Sequence, residues 1–288
     1  MEFESIDQLE DALRRADYLP DRGLSTALYL ALALSKPVLL EGEAGVGKTE
    51  AAKALASVLG ARLIRLQCYE GLDVAHAVYE WNYPRQLLHI RAAQEGTLRE
   101  EDLFGPEYLI RRPLLEAIDS EEPVVLLIDE IDRADEEFEA FLLEVLSDFQ
   151  ITIPELGQIS ATTMPIVVLT SNDSRELTEA LKRRCLYLWL DYPGIEREME
   201  IVLLHAPEMR QELARRMVEV IEMVRALDLK KPPSIAESID WARTLLLMGV
   251  DDIDRKTFQD SMSIIVKHRT DIDLVAERLG MKLPDRAA

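Results

Sequence analysis

The sequence has 288 residues, with 54 acidic and 33 basic side chains, which gives a formal net charge of −21. Hydrophobic residues make up 48% of the chain, enough for a substantial core, and this composition excludes a disordered polymer. The acidic excess disfavours a surface that wraps nucleic-acid backbones, which depends on Lys and Arg, although backbone N–H groups and one lysine suffice to hold a small phosphate.

The cysteines and the N-terminus indicate an intracellular setting. Cys68 and Cys185 lie far apart, so the sequence has neither a disulfide framework nor a Cys-x-x-Cys metal pair. The acidic start, MEFESIDQLE, lacks the apolar run of a signal peptide. The apolar run 24–34 is about half the roughly 20 residues that span a bilayer. We therefore expect a cytoplasmic protein that does not insert into a membrane.

The first predicted strand, 37–40, leads into a glycine-rich loop and a predicted helix over 48–59. The loop fits the pattern G-x-x-x-x-G-K-[ST] at every fixed position, and it lies between a strand and a helix as that pattern requires. Its glycines let backbone N–H groups point at phosphate oxygens, its lysine supplies a positive charge, and its hydroxyl can ligate Mg²⁺. The predicted phosphate-binding residues are Gly42, Glu43, Ala44, Gly45, Val46, Gly47, Lys48 and Thr49.

The second predicted strand, 62–67, is followed by a third, 124–128, which is a continuous apolar run ending in Asp129 and Glu130. An apolar strand that ends in two carboxylates is moderately specific alone. After a phosphate-binding loop it indicates a Walker B motif. Asp129 would hold Mg²⁺ through water, and Glu130 would polarise a water molecule for attack on the γ-phosphate.

The segment 149–162, after a helix predicted over 135–149, alternates apolar and polar residues around a Pro-Glu-Leu-Gly turn and predicts a β-hairpin. A buried strand over 166–170 then ends in a polar cluster that includes Asn172. This side chain could hydrogen-bond the attacking water or the γ-phosphate, or it could cap a helix. Arg183 and Arg184 precede the last predicted strand, 186–190. They could reach a neighbouring subunit's γ-phosphate, or they could form an ordinary basic helix C-terminus.

The character of the sequence changes near Pro193. Strands alternating with helices before this point predict an α/β domain with a mainly parallel sheet, over residues 1–192. Residues 193–288 predict an all-helical domain instead. Its amphipathic stretches are 195–205, 211–227, 235–248, 255–268 and 271–279.

Taken in this order, the motifs resemble those of AAA+ ATPases over about residues 24–279. The resemblance implies a P-loop NTPase fold with a five-stranded parallel sheet and a helical lid, binding ATP and Mg²⁺. It also implies that Asn172 is sensor 1, that Arg184 is the arginine finger, with Arg183 as a second candidate, and that subunits form a ring, usually of six. The chain has no Asn-Lys-x-Asp sequence to read guanine, which favours ATP over GTP.

Two features make the chain similar to the MoxR branch of that family. One is the hairpin before sensor 1, and the other is the long spacing between the second and third strands, which predicts an insertion at about 69–96. The sequence of residues 66–73, Leu-Gln-Cys-Tyr-Glu-Gly-Leu-Asp, most resembles that of CoxD-type members. These mature molybdenum-containing hydroxylases beside a von Willebrand factor A protein, which implies a metalloenzyme client and such a partner here.

The lid departs from the branch at one position. Ala236 stands where the resemblance would place a sensor 2 arginine, and Arg243 lies two turns further along the same predicted helix. Two other functions stay open from the sequence, namely a nucleic-acid-directed motor and a nucleotide-gated adaptor with little turnover. The net charge favours a machine that handles proteins and does not bind nucleic acid.

Overall fold

A computed structural model describes residues 3–92 and 103–278. Packing divides the chain into two compact units. The first comprises Met1–Gly42 and Lys48–Leu190, and the second comprises Glu43–Gly47 and Asp191–Ala288. The division after Leu190 lies near the boundary expected at Pro193, and the assignment of the second unit as a lid domain stays a prediction.

The first unit alternates helices and strands. Its helices are α1 (Ile6–Arg15), α2 (Arg22–Leu34), α3 (Lys48–Leu59), α4 (Val74–Ala77), α5 (Tyr83–Ala92), α6 (Pro113–Ile118), α7 (Glu136–Asp148) and α8 (Glu179–Arg184). Its strands are β1 (Val38–Gly42), β2 (Arg62–Gln67), β3 (Tyr79–Trp81), β4 (Leu109–Arg111), β5 (Val124–Asp129), β6 (Gln150–Ile153), β7 (Gly157–Ser160), β8 (Ile166–Ser171) and β9 (Leu186–Leu190). Short 3₁₀ turns lie at Pro106–Tyr108 and Ile131–Arg133.

The predicted five-stranded parallel sheet is confirmed, with strand order β2-β5-β8-β1-β9. All four strand pairs are parallel, and Val38 of β1, for example, pairs with Val168 of β8. The central strands β1 and β5 are buried along their whole length, because helices cover both faces of the sheet. Since the strands are parallel, their carboxyl ends meet at one edge, which is where β1, β5 and β8 end in polar residues.

The β-hairpin before β8 is also confirmed. Strands β6 and β7 pair antiparallel, with Ile151 opposite Ile159, and Gly157 has φ of +83° at the turn. The segment between β2 and β5 contains α4, β3, α5, β4 and α6, and β3 pairs antiparallel with β4. The predicted end of the insertion, Gly96, lies outside the described residues. Trp81 is buried and packs edge-on against Phe104 at a centroid distance of 5.2 Å, so this aromatic belongs to a local core.

The second unit, as far as it is described to Arg278, forms helices as its only regular elements besides one 3₁₀ turn, Met262–Ile264. The helices are α9 (Ile195–His205), α10 (Gln211–Arg225), α11 (Ile235–Met248), α12 (Arg255–Ser261) and α13 (Arg269–Arg278). Their apolar faces enclose a core of their own, centred on Met217, Ile221, Trp241 and Leu245.

Two helices of this unit end earlier than predicted: α10 ends at Arg225, two residues before its predicted end, and α12 ends seven residues before its own. The helix expected over 255–268 ends at Ser261. Ser261 Oγ donates to the carbonyl of Thr257 over 2.7 Å and accepts the Trp241 indole N–H over 2.8 Å, a bonding pattern that bends helices. Leu279, the predicted end of the last helix, lies outside the described residues. Among the described helices of the chain, none is both long enough and apolar enough to cross a membrane.

Candidate active site

The predicted phosphate loop joins β1 to α3 at the carboxyl edge of the sheet. Gly45 and Gly47 have φ of +81° and +97°, in the left-handed region that side chains disfavour. Gly42 lies against the edge strand β9, where an added Cβ would collide with the carbonyl oxygen of Leu190. Lys48 is buried, and its Nζ donates to the carbonyl of Gly42 over 2.7 Å. The loop is therefore curled, and its lysine is folded back onto the end of β1.

Asp129, at the end of β5, lies beside Thr49 in the first turn of α3 and is 2% exposed. Its Oδ1 accepts hydrogen bonds from Thr49 Oγ1 over 3.1 Å and from Thr170 Oγ1 over 2.5 Å. Its Oδ2 accepts one from Arg65 Nη2 over 2.5 Å. The structure thus brings together Thr49 and Asp129, the two residues predicted to hold magnesium, although they are far apart in the sequence.

The chemistry of these two side chains suits Mg²⁺. A hydroxyl and a carboxylate are hard oxygen donors, which is the ligand type that Mg²⁺ prefers, and this ion is held by one or two carboxylates together with phosphate oxygens and waters. Thr49 Oγ1 lies 3.1 Å and 3.4 Å from the two carboxylate oxygens of Asp129. Both donor groups therefore lie side by side, and Thr49 is itself the last residue of the predicted phosphate loop.

Glu130 follows Asp129 in an unusual backbone conformation, with φ of 56° and ψ of 51°. A non-glycine residue in this region costs about 1–3 kcal/mol and persists where its surroundings fix it, often at functional sites. Its backbone N–H donates to Thr170 Oγ1 over 2.9 Å, and its carboxylate pairs with Arg133 at 3.0 Å. The side chain is one third exposed, so it is accessible to water beside the buried Asp129.

Asn172 comes directly after β8 at the same edge. No helix begins there for Asn172 to cap, because the next described helix, α8, starts at Glu179 and is capped by Thr178. The preceding Ser171 donates to the buried carboxylate of Glu41 over 3.0 Å, and Lys182 lies 3.5 Å from that carboxylate. The alternative role for Asn172, as a helix cap, is thus wrong, and the residue directly before it belongs to a buried polar network.

Arg183 and Arg184 occupy the last turn of α8 and are exposed. Arg184 Nε donates to Ser147 Oγ over 3.0 Å, and Arg183 lies 3.9 Å from Glu179. Neither partner belongs to the cluster around Lys48 and Asp129. Within one chain the two arginines are therefore held apart from the residues of the phosphate loop and Walker B motif.

The tip of the phosphate loop makes its contacts within the second unit. The Tyr192 hydroxyl donates to the carbonyl of Ala44 over 3.0 Å, and the N–H of Ile235 donates to that of Gly45 over 3.2 Å. The Tyr192 ring lies under the guanidinium of Arg225, 4.3 Å from its centroid, and Arg225 pairs with buried Glu198. Ala236 and Arg243 are both exposed, whereas the side chain of Arg225 is only 9% exposed.

Sequence reasoning missed Thr170, Arg65 and Arg225. Thr170 lay in the polar cluster at the end of a predicted strand, and this signal could have identified it. Arg65 contacts Asp129 through the register of β2 on β5, in which Gln67 is opposite Asp129. That register is a property of the folded sheet and leaves no signal in the local sequence.

Comparison with known proteins places these motifs in a family. Residues 37–185, about half of the chain, match the AAA domain (dynein-related subfamily). The chain is similar to the ClpA homolog protein of Fuscovulum blasticum, with 31% identity over 59% of this chain and 20% of that protein. It is also similar to the chaperone MoxR1 of Mycobacterium tuberculosis, with 31% identity over 57% of this chain and 39% of that protein. The chain therefore matches less than half the length of either relative.

Among solved structures, the fold is similar to that of Thermotoga maritima RuvB, a Holliday junction branch migration motor. The TM-score is 0.51, over 98% of this chain and 86% of that one. Sequence identity is 18%, so this likeness concerns the fold alone. The family match covers the phosphate loop and the strand that ends in Asp129 and Glu130. The chain belongs to the AAA domain family, in its dynein-related subfamily, and is a nucleotide-binding ATPase of the AAA+ class.

Proposed function

We propose that this AAA+ ATPase is a MoxR-type chaperone that uses ATP hydrolysis to remodel a protein client. The observation that carries the proposal is the meeting of Thr49 and Asp129, with a 3.1 Å hydrogen bond, beside a phosphate loop whose lysine is folded inward. Similarity to the chaperone MoxR1 supports the choice of branch. The confirmed hairpin before β8 and the elements between β2 and β5 support it as well.

In this proposal, Lys48 and the backbone N–H groups of the loop, Glu43, Ala44 and Val46 included, bind the phosphates of ATP. Thr49 and Asp129 would hold Mg²⁺, which would neutralise negative charge on the phosphate oxygens. Since Asp129 is almost fully buried, its carboxylate keeps one orientation through its bonds to Thr49 and Thr170.

Glu130 accepts a proton from the attacking water, and Asn172 holds that water by a hydrogen bond. The carboxylate of Glu130 can reach a water molecule because its side chain is one third exposed. Arg133, with which it forms a salt bridge, is itself largely exposed. A salt bridge of this exposed kind is weak, at roughly 0–1 kcal/mol, so its exchange for a water molecule costs little.

Arg184 acts on the ATP of a neighbouring subunit, with Arg183 as the alternative. Exposure of both side chains on the last turn of α8 supports a role outside their own chain. Charge stabilisation by an arginine from a neighbour requires a ring of subunits, which we propose to be a hexamer. The second unit, as a helical lid, would move with the nucleotide state and transmit hydrolysis to the client.

For the client we propose a metalloenzyme precursor, a molybdenum hydroxylase in particular, with a von Willebrand factor A protein as partner. This step rests on the similarity of residues 66–73 to CoxD-type proteins and on the net charge of −21. An acidic ring disfavours nucleic acid and is compatible with a metal-ion site on a partner that engages acidic residues.

The proposal is tested by reconstituting the maturation of a client from purified components. A purified hydroxylase precursor should gain activity when the protein, its von Willebrand partner and ATP are added together. The variant Lys48→Ala should not support this gain, whereas Lys53→Ala should, because Lys53 lies on the same helix and is exposed beside Glu50. An ATPase rate stimulated by DNA or RNA, with no effect of the precursor, would replace the chaperone with a nucleic-acid motor.

A further inference from the structure

Arg65 contacts the Walker B carboxylate although it belongs to neither motif. It lies on the edge strand β2, and its side chain is about half exposed. Its Nη2 is 2.5 Å from Oδ2 of Asp129, whose side chain is 3% exposed. The same guanidinium nitrogen donates to Oε1 of Gln67. A cationic side chain is therefore fixed at the carboxylate that is proposed to serve magnesium.

The register of the sheet explains this contact. Gln67 is opposite Asp129 and Arg65 is opposite Leu127, so the two residues of β2 lie on one face of the strand, two positions apart. From there the long arginine side chain reaches along the strand to the end of β5. Gln67 accepts a hydrogen bond from the same guanidinium, which helps to hold the Arg65 side chain against β5.

The guanidinium of Arg65 occupies one of the hydrogen-bond acceptor positions of the Asp129 carboxylate. A carboxylate has about four lone-pair positions. Thr49 Oγ1 lies within reach of both oxygens, Thr170 uses Oδ1 and Arg65 uses Oδ2. A cation bound at Thr49 faces the same carboxylate, part of whose negative charge already compensates Arg65.

We infer that Arg65 is a positioning residue that shares Asp129 with the Mg²⁺ of the bound nucleotide and thereby raises the Mg²⁺ concentration required for nucleotide binding. The inference rests on the proposed magnesium site at Thr49 and Asp129. Its physical basis is repulsion between the guanidinium and a divalent cation on either side of one carboxylate, a repulsion that partial burial keeps from being fully screened.

The test is a Mg²⁺ titration of ADP binding to the full chain, measured by calorimetry at fixed ionic strength. Arg65→Gln should lower the Mg²⁺ concentration at half-maximal binding by about three- to tenfold, because it removes the charge next to Asp129. Arg65→Lys keeps the charge and should remain within about twofold of the wild type. This variant also preserves a cation for the buried carboxylate, so it provides a result if Arg65→Gln does not fold.

Arg62→Gln is the matched control. Arg62 lies on the same strand, its side chain is 46% exposed, and it pairs with Glu116 away from Asp129. An unchanged or higher Mg²⁺ requirement in Arg65→Gln would overturn the inference. A shift of the same size in either Arg62→Gln or Arg65→Lys would overturn it as well. A lower melting temperature with no change in the Mg²⁺ midpoint would assign Arg65 a structural role only. Failure of the wild type to bind ADP at any Mg²⁺ concentration would overturn the nucleotide site itself, together with this inference.

Discussion

Thr170 links the two carboxylate residues of the candidate site through a single hydroxyl. It donates to Asp129 over 2.5 Å and accepts the N–H of Glu130 over 2.9 Å, and it is 1% exposed. One side chain thus orients the proposed magnesium ligand and also holds the strained backbone of the proposed base.

Replacement of Thr170 by Val should therefore affect both stability and turnover. The isosteric change leaves a buried N–H and a buried carboxylate each short of a partner, at a cost of about 1–3 kcal/mol in the free energy of unfolding. The ATPase rate should fall while the protein remains folded. Thr163→Val is the control, since its hydroxyl bonds only to the carbonyl of Glu121 near the surface. Equal effects of the two variants on the ATPase rate would contradict this role for Thr170.

Cys68 gives a prediction about pH. Burial, and secondarily the negative charges of Asp129, Asp132 and Glu130, raise the pKa of Cys68 from 9.0 to about 12. A thiol that stays protonated in the folded state contributes stability that is complete below pH 9 and declines as the pH rises toward 12. Cys68→Ala should therefore lose less stability than the wild type over this interval, as measured by denaturant unfolding at each pH. Identical slopes would show that the thiol ionises normally in the folded chain.

At the residue scale, the motifs predicted which side chains meet but not what surrounds them. The proximity of Thr49 and Asp129 follows from two local patterns and the rule that parallel strands end at one edge. The contact of Arg65 with Asp129 depends on the register between β2 and β5. That register is decided by the packing of the whole sheet, so a reading of local sequence could not supply it.

At the scale of elements, strong periodicity gave accurate bounds. Strand β2, helix α3 and helix α9 begin and end where the sequence predicted them. The helix expected over 255–268 ends at Ser261, whose hydroxyl donates to the Thr257 carbonyl and so competes with the backbone for that acceptor, while the Trp241 indole N–H holds the hydroxyl in place. Hydrophobic periodicity continues through the bend, since Ile265 and Val266 are both buried. Local pattern therefore located the buried face correctly and missed the end of the helix.

The helices of the second unit are joined by a buried ion pair that the sequence did not indicate. Arg225 on α10 pairs with Glu198 on α9, with nitrogen–oxygen distances of 2.5 Å and 2.8 Å. Ser238 on α11 also donates to Glu198, over 2.6 Å. The side chains of Arg225 and Glu198 are 9% and 1% exposed, so each charge depends on the other for compensation.

A double-mutant cycle measures this dependence. Arg225→Met should destabilise the protein by about 3–5 kcal/mol, because it leaves the Glu198 carboxylate buried without its partner. Addition of Glu198→Leu should recover most of that loss, since no unpaired charge remains. Thermal and denaturant unfolding give both values. A double variant that is as unstable as the sum of the single variants would show that the two residues act independently.

At the scale of the whole molecule, the proposed ring predicts complementation between two inactive variants. Arg184→Ala subunits keep an intact Glu130, and Glu130→Gln subunits keep an intact Arg184. Mixed in equal amounts, they should regain about a quarter of the wild-type ATPase rate, because half of the sites have a competent base and half of their neighbours supply the arginine. Arg183→Ala in place of Arg184→Ala is the control that identifies which arginine is used.

Complementation separates an arginine acting in a neighbour from one that acts within its own chain. If Arg184 worked on its own nucleotide, each mixed site would lack either its base or its arginine and the mixture would stay inactive. The same preparation, examined by light scattering with and without ATP, gives the size of the assembly. A monomer that hydrolyses ATP at the wild-type rate would contradict the ring.

The most direct test of the account is the ATP chemistry of Glu130→Gln. The central claim is that the edge formed by Lys48, Thr49, Asp129 and Glu130 is a hydrolytic ATP site in which Glu130 is the base. The variant should bind ATP with wild-type affinity, while hydrolysis in a single turnover slows by at least about 100-fold. Wild-type hydrolysis by Glu130→Gln, or loss of ATP binding together with turnover, would contradict that claim.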